Sequence, residues 1–333
     1  MWITLLAIVL VSHYKIHIKK TKIKKENFMI KYNNVNTIIK KQARDLNKFV
    51  LDTESKYRGQ LFALANKILA KNNVKIVLLC GPSCAGKTTT AKLLKDILQL
   101  KGRDVDVISM DDFFVDLDKR KLLPNGKPDF DSPDILDYDL MKDCFSKYFA
   151  GEDVKFPEYD FKESKSIKNV KPYKYKFNSI VIFEGIHVLN PRVLKSLGTS
   201  NYFKIYVSPL QSFKTDKFAL STKNLRLLRR CIRDIDRRNT PASKTQEIWP
   251  EVVEVEEKFI EPYRTKVDYY VDTMHEYELG VYKSEAERFI RAGKIKENEV
   301  PYPELLKNIE PISKDIIPDT SLMWEFVSRP EKK

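Results

Sequence analysis

Val74-Lys75-Ile76-Val77-Leu78-Leu79-Cys80-Gly81-Pro82-Ser83-Cys84-Ala85-Gly86-Lys87-Thr88 decides how the chain is read. Its first seven residues are almost continuously apolar, the pattern of a strand buried on both faces of a sheet. The next eight match GxxxxGK[ST], and Thr89 to about Leu100 carry a helical pattern stopped by Gly102. In that setting the glycines let backbone N–H groups curl around phosphate oxygens, and the helix N-terminus adds the positive end of its dipole. Lys87 is expected to reach the β- and γ-phosphates and the Thr88 hydroxyl to bind Mg²⁺. Gly81, Ser83, Cys84, Ala85, Gly86, Lys87, Thr88 and Thr89 together form the expected seat of ATP. The bare pattern should arise by chance in on the order of one in a hundred chains this long, and the strand–loop–helix context lowers that. A GTPase switch would add Asn-Lys-x-Asp; Asn47-Lys48-Phe49-Val50 and Asn66-Lys67-Ile68-Leu69 both lack the Asp.

Strand-like runs recur at Asp104–Met110, Ser179–Glu184, Phe203–Ser208 and Val267–Val271, with helical patterns between several of them. This alternation predicts an α/β fold of the P-loop NTPase type, with a parallel sheet of about five strands, helices on both faces and a helical lid. Upstream, from Thr37 to Lys71, apolar residues recur at three- and four-residue steps, which predicts helix with a break or kink at Gly59. Lys119–Asp134 and Pro157–Pro172 read as surface loops around a site. The predicted organisation is a leader over 1–36, a helical segment over 37–72, a core over 73–275 with its lid around 221–240, and a helical extension packed on the core over 276–333.

Of 333 residues, 42% are hydrophobic and 32% charged, which excludes wholesale disorder. Four cysteines without a CxxC pair are too few for a disulfide scaffold and offer no zinc or redox motif. A reducing, cytoplasmic setting is the natural expectation. Of the net charge of +14, almost all lies in residues 1–75, which hold sixteen basic residues and four acids. The body is nearly neutral, so a nucleic-acid partner is not expected. Trp2 to Val11 is apolar but too short to span a bilayer of about 30 Å. Lysines from Lys15 to Lys25 follow it. Three readings stand for this leader: translation starting at Met29, a loose tail, or contact with an anionic membrane surface.

On the acceptor side, the second strand runs into Asp111-Asp112-Phe113-Phe114. Ligands of open α/β sheets bind beyond the carboxyl ends of the strands. A carboxylate there can take a proton from an acceptor hydroxyl facing the γ-phosphate. Spacing does not choose between Asp111 and Asp112, and an Asp pair also serves as a turn or helix cap. Glu184 ends another strand and can hold Mg²⁺ through water, orient the acceptor or act as a cap. Arg226, Arg229, Arg230, Arg233 and Arg237 fall on one side of a predicted helix. Like charges so gathered repel by a few tenths of a kcal/mol per pair. An arriving anion would neutralise them, as in a lid over a transferring phosphoryl group; the alternative is a solvated helix paired through Asp234 and Asp236.

These residues resemble the uridine kinase–phosphoribulokinase family of P-loop kinases, most closely its longer bacterial uridine-kinase-like branch, over about 55–327. The matching stretches are Gly81 through Thr90, Asp111 through Asp116, Phe130-Asp131-Ser132-Pro133-Asp134, Pro157-Glu158-Tyr159-Asp160-Phe161 and Phe183-Glu184-Gly185-Ile186-His187. Arg226 to Arg230 with Arg233-Asp234, Trp249-Pro250, Glu256-Glu257-Lys258 and Tyr277-Glu278-Leu279 follow. The resemblance implies that Asp111 is the general base and that Asp131 holds ribose hydroxyls. It places Tyr159 and Phe161 on the wall of a base pocket and Glu184 near Mg²⁺. Arg226 and Arg229 become lid arginines around acceptor and phosphates, with Arg233 beside the nucleotide. Phe114 departs from the family's usual tyrosine, Ser164 stands where shorter uridine kinases carry a histidine, and Lys223-Asn224-Leu225 and Val253-Glu254-Val255 also differ. The implied activity is ATP- and Mg²⁺-dependent phosphorylation of a nucleoside 5′-hydroxyl, of uridine or cytidine. The alternatives are a kinase for another sugar-like alcohol, of ribulose phosphate or pantothenate type, and a non-catalytic nucleotide-binding regulator. A homo-oligomer is compatible with the sequence.

Overall fold

The computed structural model describes residues 31–330 except 124, 125, 127 and 177; the expectations for residues 1–30 lie outside it. Strand β1 (Lys31–Asn34) pairs in parallel with a distant strand, Gln211–Lys214. The folded chain thus includes residues assigned to the leader from sequence. Asn34 then caps helix α1 (Val35–Arg44) by accepting from the Asn36 N–H. The break in the helical stretch falls at Asp45, not Gly59. Asp45 is extended (φ −164°) and its carboxylate accepts from the Lys48 N–H, opening the 25-residue helix α2 (Leu46–Ala70). Gly59 sits inside α2 with open space around it. A helical glycine costs only about 1 kcal/mol against alanine, whereas a capping aspartate actively ends one helix and starts another.

The sheet contains β2 (Ile76–Cys80), β3 (Val105–Ser109), β6 (Ile180–Gly185), β7 (Tyr202–Ser208) and β9 (Tyr269–Asp272), all parallel, in the order β3-β6-β2-β7-β9. The five strand-like runs of the sequence are these five strands. Strand periodicity divides their side chains between two cores. Val77, Leu79, Ile182, Ile205 and Val207 pack with α2, with α3 (Lys87–Leu100), with α6 (Thr222–Arg238) and with α8 (Glu278–Arg291). Ile76, Leu78, Cys80, Val181 and Phe183 face α4 (Tyr138–Phe149) and α5 (Pro191–Ser196). Burial on both faces explains the unbroken apolar runs of β2 and of Ile180–Phe183 in β6.

Pro157–Pro172 is not a loop. Strands β4 (Val154–Asp160) and β5 (Lys165–Tyr173) form an antiparallel hairpin whose register shifts between Phe156 and Glu158, beside Pro157. Most of β5 is exposed, so the apolar alternation that announces a strand is missing. Strand β8 (Gln211–Lys214) completes the small sheet with β1, and α7 (Ala242–Phe259) packs beside α6. Among the described residues no helix is long and apolar enough to cross a membrane.

Candidate active site

β2, at the centre of the sheet, ends in the glycine loop, and two of its glycines are dictated by space. A Cβ on Gly81 would lie 2.2 Å from the Val207 carbonyl oxygen. Gly86 has φ +94°, and its Cβ would lie 2.7 Å from Leu322 Cδ1. The Lys87 ammonium donates to the Pro82 carbonyl at 3.1 Å, and the Thr88 hydroxyl donates to Glu184 Oε1 at 3.1 Å. Glu184, buried at the end of the neighbouring strand β6, is pushed up to about 7. Burial is the main cause; Lys87 opposes it, and Asp111 and Glu325 add to it. A hard cation prefers oxygen donors of this kind, and a cation here would hold that carboxylate in its charged form. Thr88 and Glu184 therefore fit a Mg²⁺ ion.

The short 3₁₀ turn Met110–Phe113 follows β3 and separates the two aspartates. Asp112 is taken by the hairpin: Lys171 Nζ lies 2.9 Å from its Oδ2, and its Oδ1 accepts from the Tyr159 N–H at 3.4 Å. Asp111 has its N–H held by the Ser109 hydroxyl, while no cation among the described residues lies within ion-pair distance of its carboxylate. Burial pushes the Asp111 carboxyl up to about 6; Lys87 pulls it down, and Asp112 and Asp131 push it further up. Asp131 is raised chiefly by burial and opposed by Arg230. Its backbone is fixed on both sides, the N–H by Asp129 and the carbonyl by His187 Nε2 at 2.6 Å. His187 is held down to about 4 by burial, so its ring is neutral and Nε2 carries the donated proton.

Tyr159 and Phe161 lie at one end of the hairpin, edge-on to each other and both against Phe114. Tyr159 is buried and its hydroxyl accepts from Arg120 at 2.7 Å, whereas Phe161 is 67% exposed. Ser164, at the hairpin turn, has φ +54°.

The arginines of α6 divide into two groups. Arg226 and Arg229 are buried and already neutralised. Arg226 meets Glu256 of α7 at 2.6 Å, and Arg229 meets Glu278 of α8 through Nε at 2.8 Å and Nη2 at 3.1 Å. Their remaining donors clamp the glycine loop from behind, on the Ser83 carbonyl at 3.1 Å and the Cys84 carbonyl at 3.4 Å. Arg230 reaches the Ser83 hydroxyl at 3.2 Å, and its charge also bears on Asp131 across the cleft. Arg233 rests on its neighbour Asp234, and Arg237 on carbonyls of the C-terminal segment. Sequence reasoning gave no role to Glu256, Glu278, Lys171, Arg120 or Glu325, the last of which accepts from the Thr89 N–H at 3.0 Å. Only the Glu256 and Glu278 stretches and His187 left a signal, as part of matching motifs.

A glycine loop at the carboxyl edge of a parallel sheet, its carbonyls held by arginines of α6, puts the protein in the P-loop class. The chain belongs to the Phosphoribulokinase / Uridine kinase family, whose family model matches residues 76–279. It is similar to uridine-cytidine kinase A of Dictyostelium discoideum, 34% identical over 173 residues, 51% of this chain and 30% of that protein. Uridine kinase-like protein 5 of Arabidopsis thaliana is 34% identical over 119 residues, 35% of this chain and 25% of its own. The chain thus spans less than a third of the length of these two relatives. The uridine kinase of Vibrio campbellii is 29% identical over 200 residues, 59% of this chain and 86% of that one. A solved structure of a possible uridine kinase from Bacillus stearothermophilus aligns over 65% of this chain and 100% of its own, with TM-score 0.45 and 18% identity.

Proposed function

We propose that the protein transfers the γ-phosphoryl group of ATP, with Mg²⁺, to the 5′-hydroxyl of a nucleoside, uridine or cytidine. One observation carries the reading: Asp111 is a half-buried carboxyl with no ion-pair partner among the described residues, at the carboxyl edge of the sheet that also carries the glycine loop and Glu184. Phosphoryl transfer has a loose transition state, so catalysis is positioning and charge neutralisation. Lys87 would exchange the Pro82 carbonyl for a phosphate oxygen. Asp111 would accept the acceptor's hydroxyl proton, and Arg230 and Arg233 would bring charge to the phosphates. Arg226 and Arg229 would act as positioning residues, through the Ser83 and Cys84 carbonyls. Mg²⁺ held by Thr88 and Glu184 would neutralise charge on the phosphate tail. Asp131 would receive ribose hydroxyls, and Tyr159 and Phe161 would flank the base.

A second reading has its own support. Arg120 is 8% exposed, lies over the rings of Phe114, Phe130 and Tyr159, and has no carboxylate within ion-pair distance among the described residues. A guanidinium so placed suits an acceptor that carries its own anion, such as a phosphorylated or acidic sugar-like alcohol. ADP release over a panel of nucleosides, sugar phosphates and hydroxy acids tests both readings. Release driven by uridine or cytidine supports the first and release driven by an anionic alcohol the second. Release driven by neither, with ATP bound, leaves a nucleotide-binding regulator.

A further inference from the structure

The N-terminus of α3, where a triphosphate would lie, already holds an anion from this chain. The Thr89 N–H belongs to the first turn after the glycine loop, among the donors that cradle phosphates in such loops. It donates to Glu325 Oε2 at 3.0 Å. The Lys87 ammonium is likewise turned inward on the Pro82 carbonyl. Two of the cationic or donor groups expected to hold phosphate are therefore satisfied internally.

We infer that Glu325 is an intramolecular competitor for the nucleotide, its carboxylate holding the Thr89 N–H and yielding it when a triphosphate enters. The inference rests on the nucleotide-binding reading above and adds a control to that site.

The backbone under Glu325 is fixed by its neighbours, and its side chain is held at the Thr89 N–H. Leu322, Met323, Phe326 and Val327 are fully buried, and Leu322 abuts Gly86. Arg237 holds the Trp324, Glu325 and Val327 carbonyls, and the Ser328 N–H donates to Asp236. Glu325 itself is only half-buried. Release of Thr89 thus needs a change of side-chain rotamer and no unfolding of the C-terminal segment. The competing charges are of one sign, with Glu184 also nearby, so phosphate and carboxylate cannot share the helix end. Binding then carries the cost of expelling an acid, and affinity is set below what the bare loop would give.

The test is nucleotide affinity without any acceptor, by calorimetry, in wild type, Glu325→Gln and Glu325→Ala, with Mg-ATP and with Mg-tripolyphosphate as a phosphate chain lacking base and ribose. Both variants should bind both probes more tightly, by roughly 2- to 30-fold, the range of a charge at a helix N-terminus. Glu325→Asp, whose carboxylate is one methylene short of Thr89, should show part of the same gain and serves should the other variants fold poorly. Unchanged or weaker binding, with only a lower melting temperature, identifies Glu325 as a plain helix cap and overturns the inference. A gain for ATP without one for tripolyphosphate overturns it too, since Glu325 would then act on base or ribose. Failure of wild type and variants alike to bind either probe would instead sink the nucleotide-binding reading itself.

Discussion

Asp111 and Asp112 are chemically alike and adjacent, and the fold gives them opposite employment. Asp112 anchors the hairpin through Lys171, and Asp111 keeps a half-buried carboxyl, without an ion-pair partner among the described residues, pushed up to about 6. Asp111→Asn is expected to lower kcat by on the order of 10²-fold or more while ATP still binds, since general-base catalysis is worth about that much. Asp112→Asn should instead loosen the hairpin and raise KM for the acceptor. The pH profile gives an independent check. A base works deprotonated, and here burial raises its pKa, so kcat/KM should climb as pH rises through about 6 and then level. Bound triphosphate adds negative charge nearby, so the limb in kcat should lie at higher pH than the limb in kcat/KM. A limb near 6 that persists in Asp111→Asn would assign it to another group. Lys87→Ala, which removes the cation from the phosphate tail, should abolish turnover.

On the element α6, burial separates arginines that share one helix face. Arg229 is fully buried against Glu278, so Arg229→Ala strands a carboxylate in the core. Removing one partner of such a pair costs about 3–5 kcal/mol, which should lower Tm on the order of 5–15 °C. Arg230→Ala removes a side chain that is 13% exposed and whose contacts are the Ser83 hydroxyl and Asp234, which keeps Arg233 and Arg238 as partners, so it should lower kcat with a smaller drop in Tm than Arg229→Ala. Thermal melts beside kinetics of the two variants check this, and equal melts would refute the division. The five arginines were legible in the sequence because helical spacing is local. Their partners were not, since Glu256 and Glu278 lie 30 and 49 residues further on and meet them only through packing. The same distinction runs through the fold. Strands buried on both faces wrote themselves as apolar runs, whereas exposed β5 left no periodicity and Asp45 outweighed the more visible Gly59. The glycine loop was legible to the residue; the acid resting on its Thr89 N–H comes from a segment over 230 residues away.

For the molecule as a whole, the C-terminal segment belongs to the core. From sequence, residues 276–333 are expected as a helical extension packed on the core; within them Leu322, Met323, Phe326 and Val327 are each 0% exposed, and Phe326 lies over the Arg229 guanidinium. Leu322 fills the space that Gly86 leaves open, so the glycine loop is shaped partly by residues near the chain's end. Burying four such side chains contributes roughly 6–12 kcal/mol at about 1.5–3 each, comparable to the 5–15 kcal/mol that holds a typical domain together. A chain stopped after Asp319 should therefore be insoluble or lack a cooperative melt, and ATP should not rescue it, because the loop loses its support from Leu322. A chain stopped after Pro330 should melt like the full-length protein, since it keeps the Ser328 contacts to Asp236 and Lys314. Soluble yield and the melting curve of the two truncations decide the matter. A cooperative, unshifted melt for the shorter one would return the segment to the status of an appendage, and the loop's shape would then have to be explained without it.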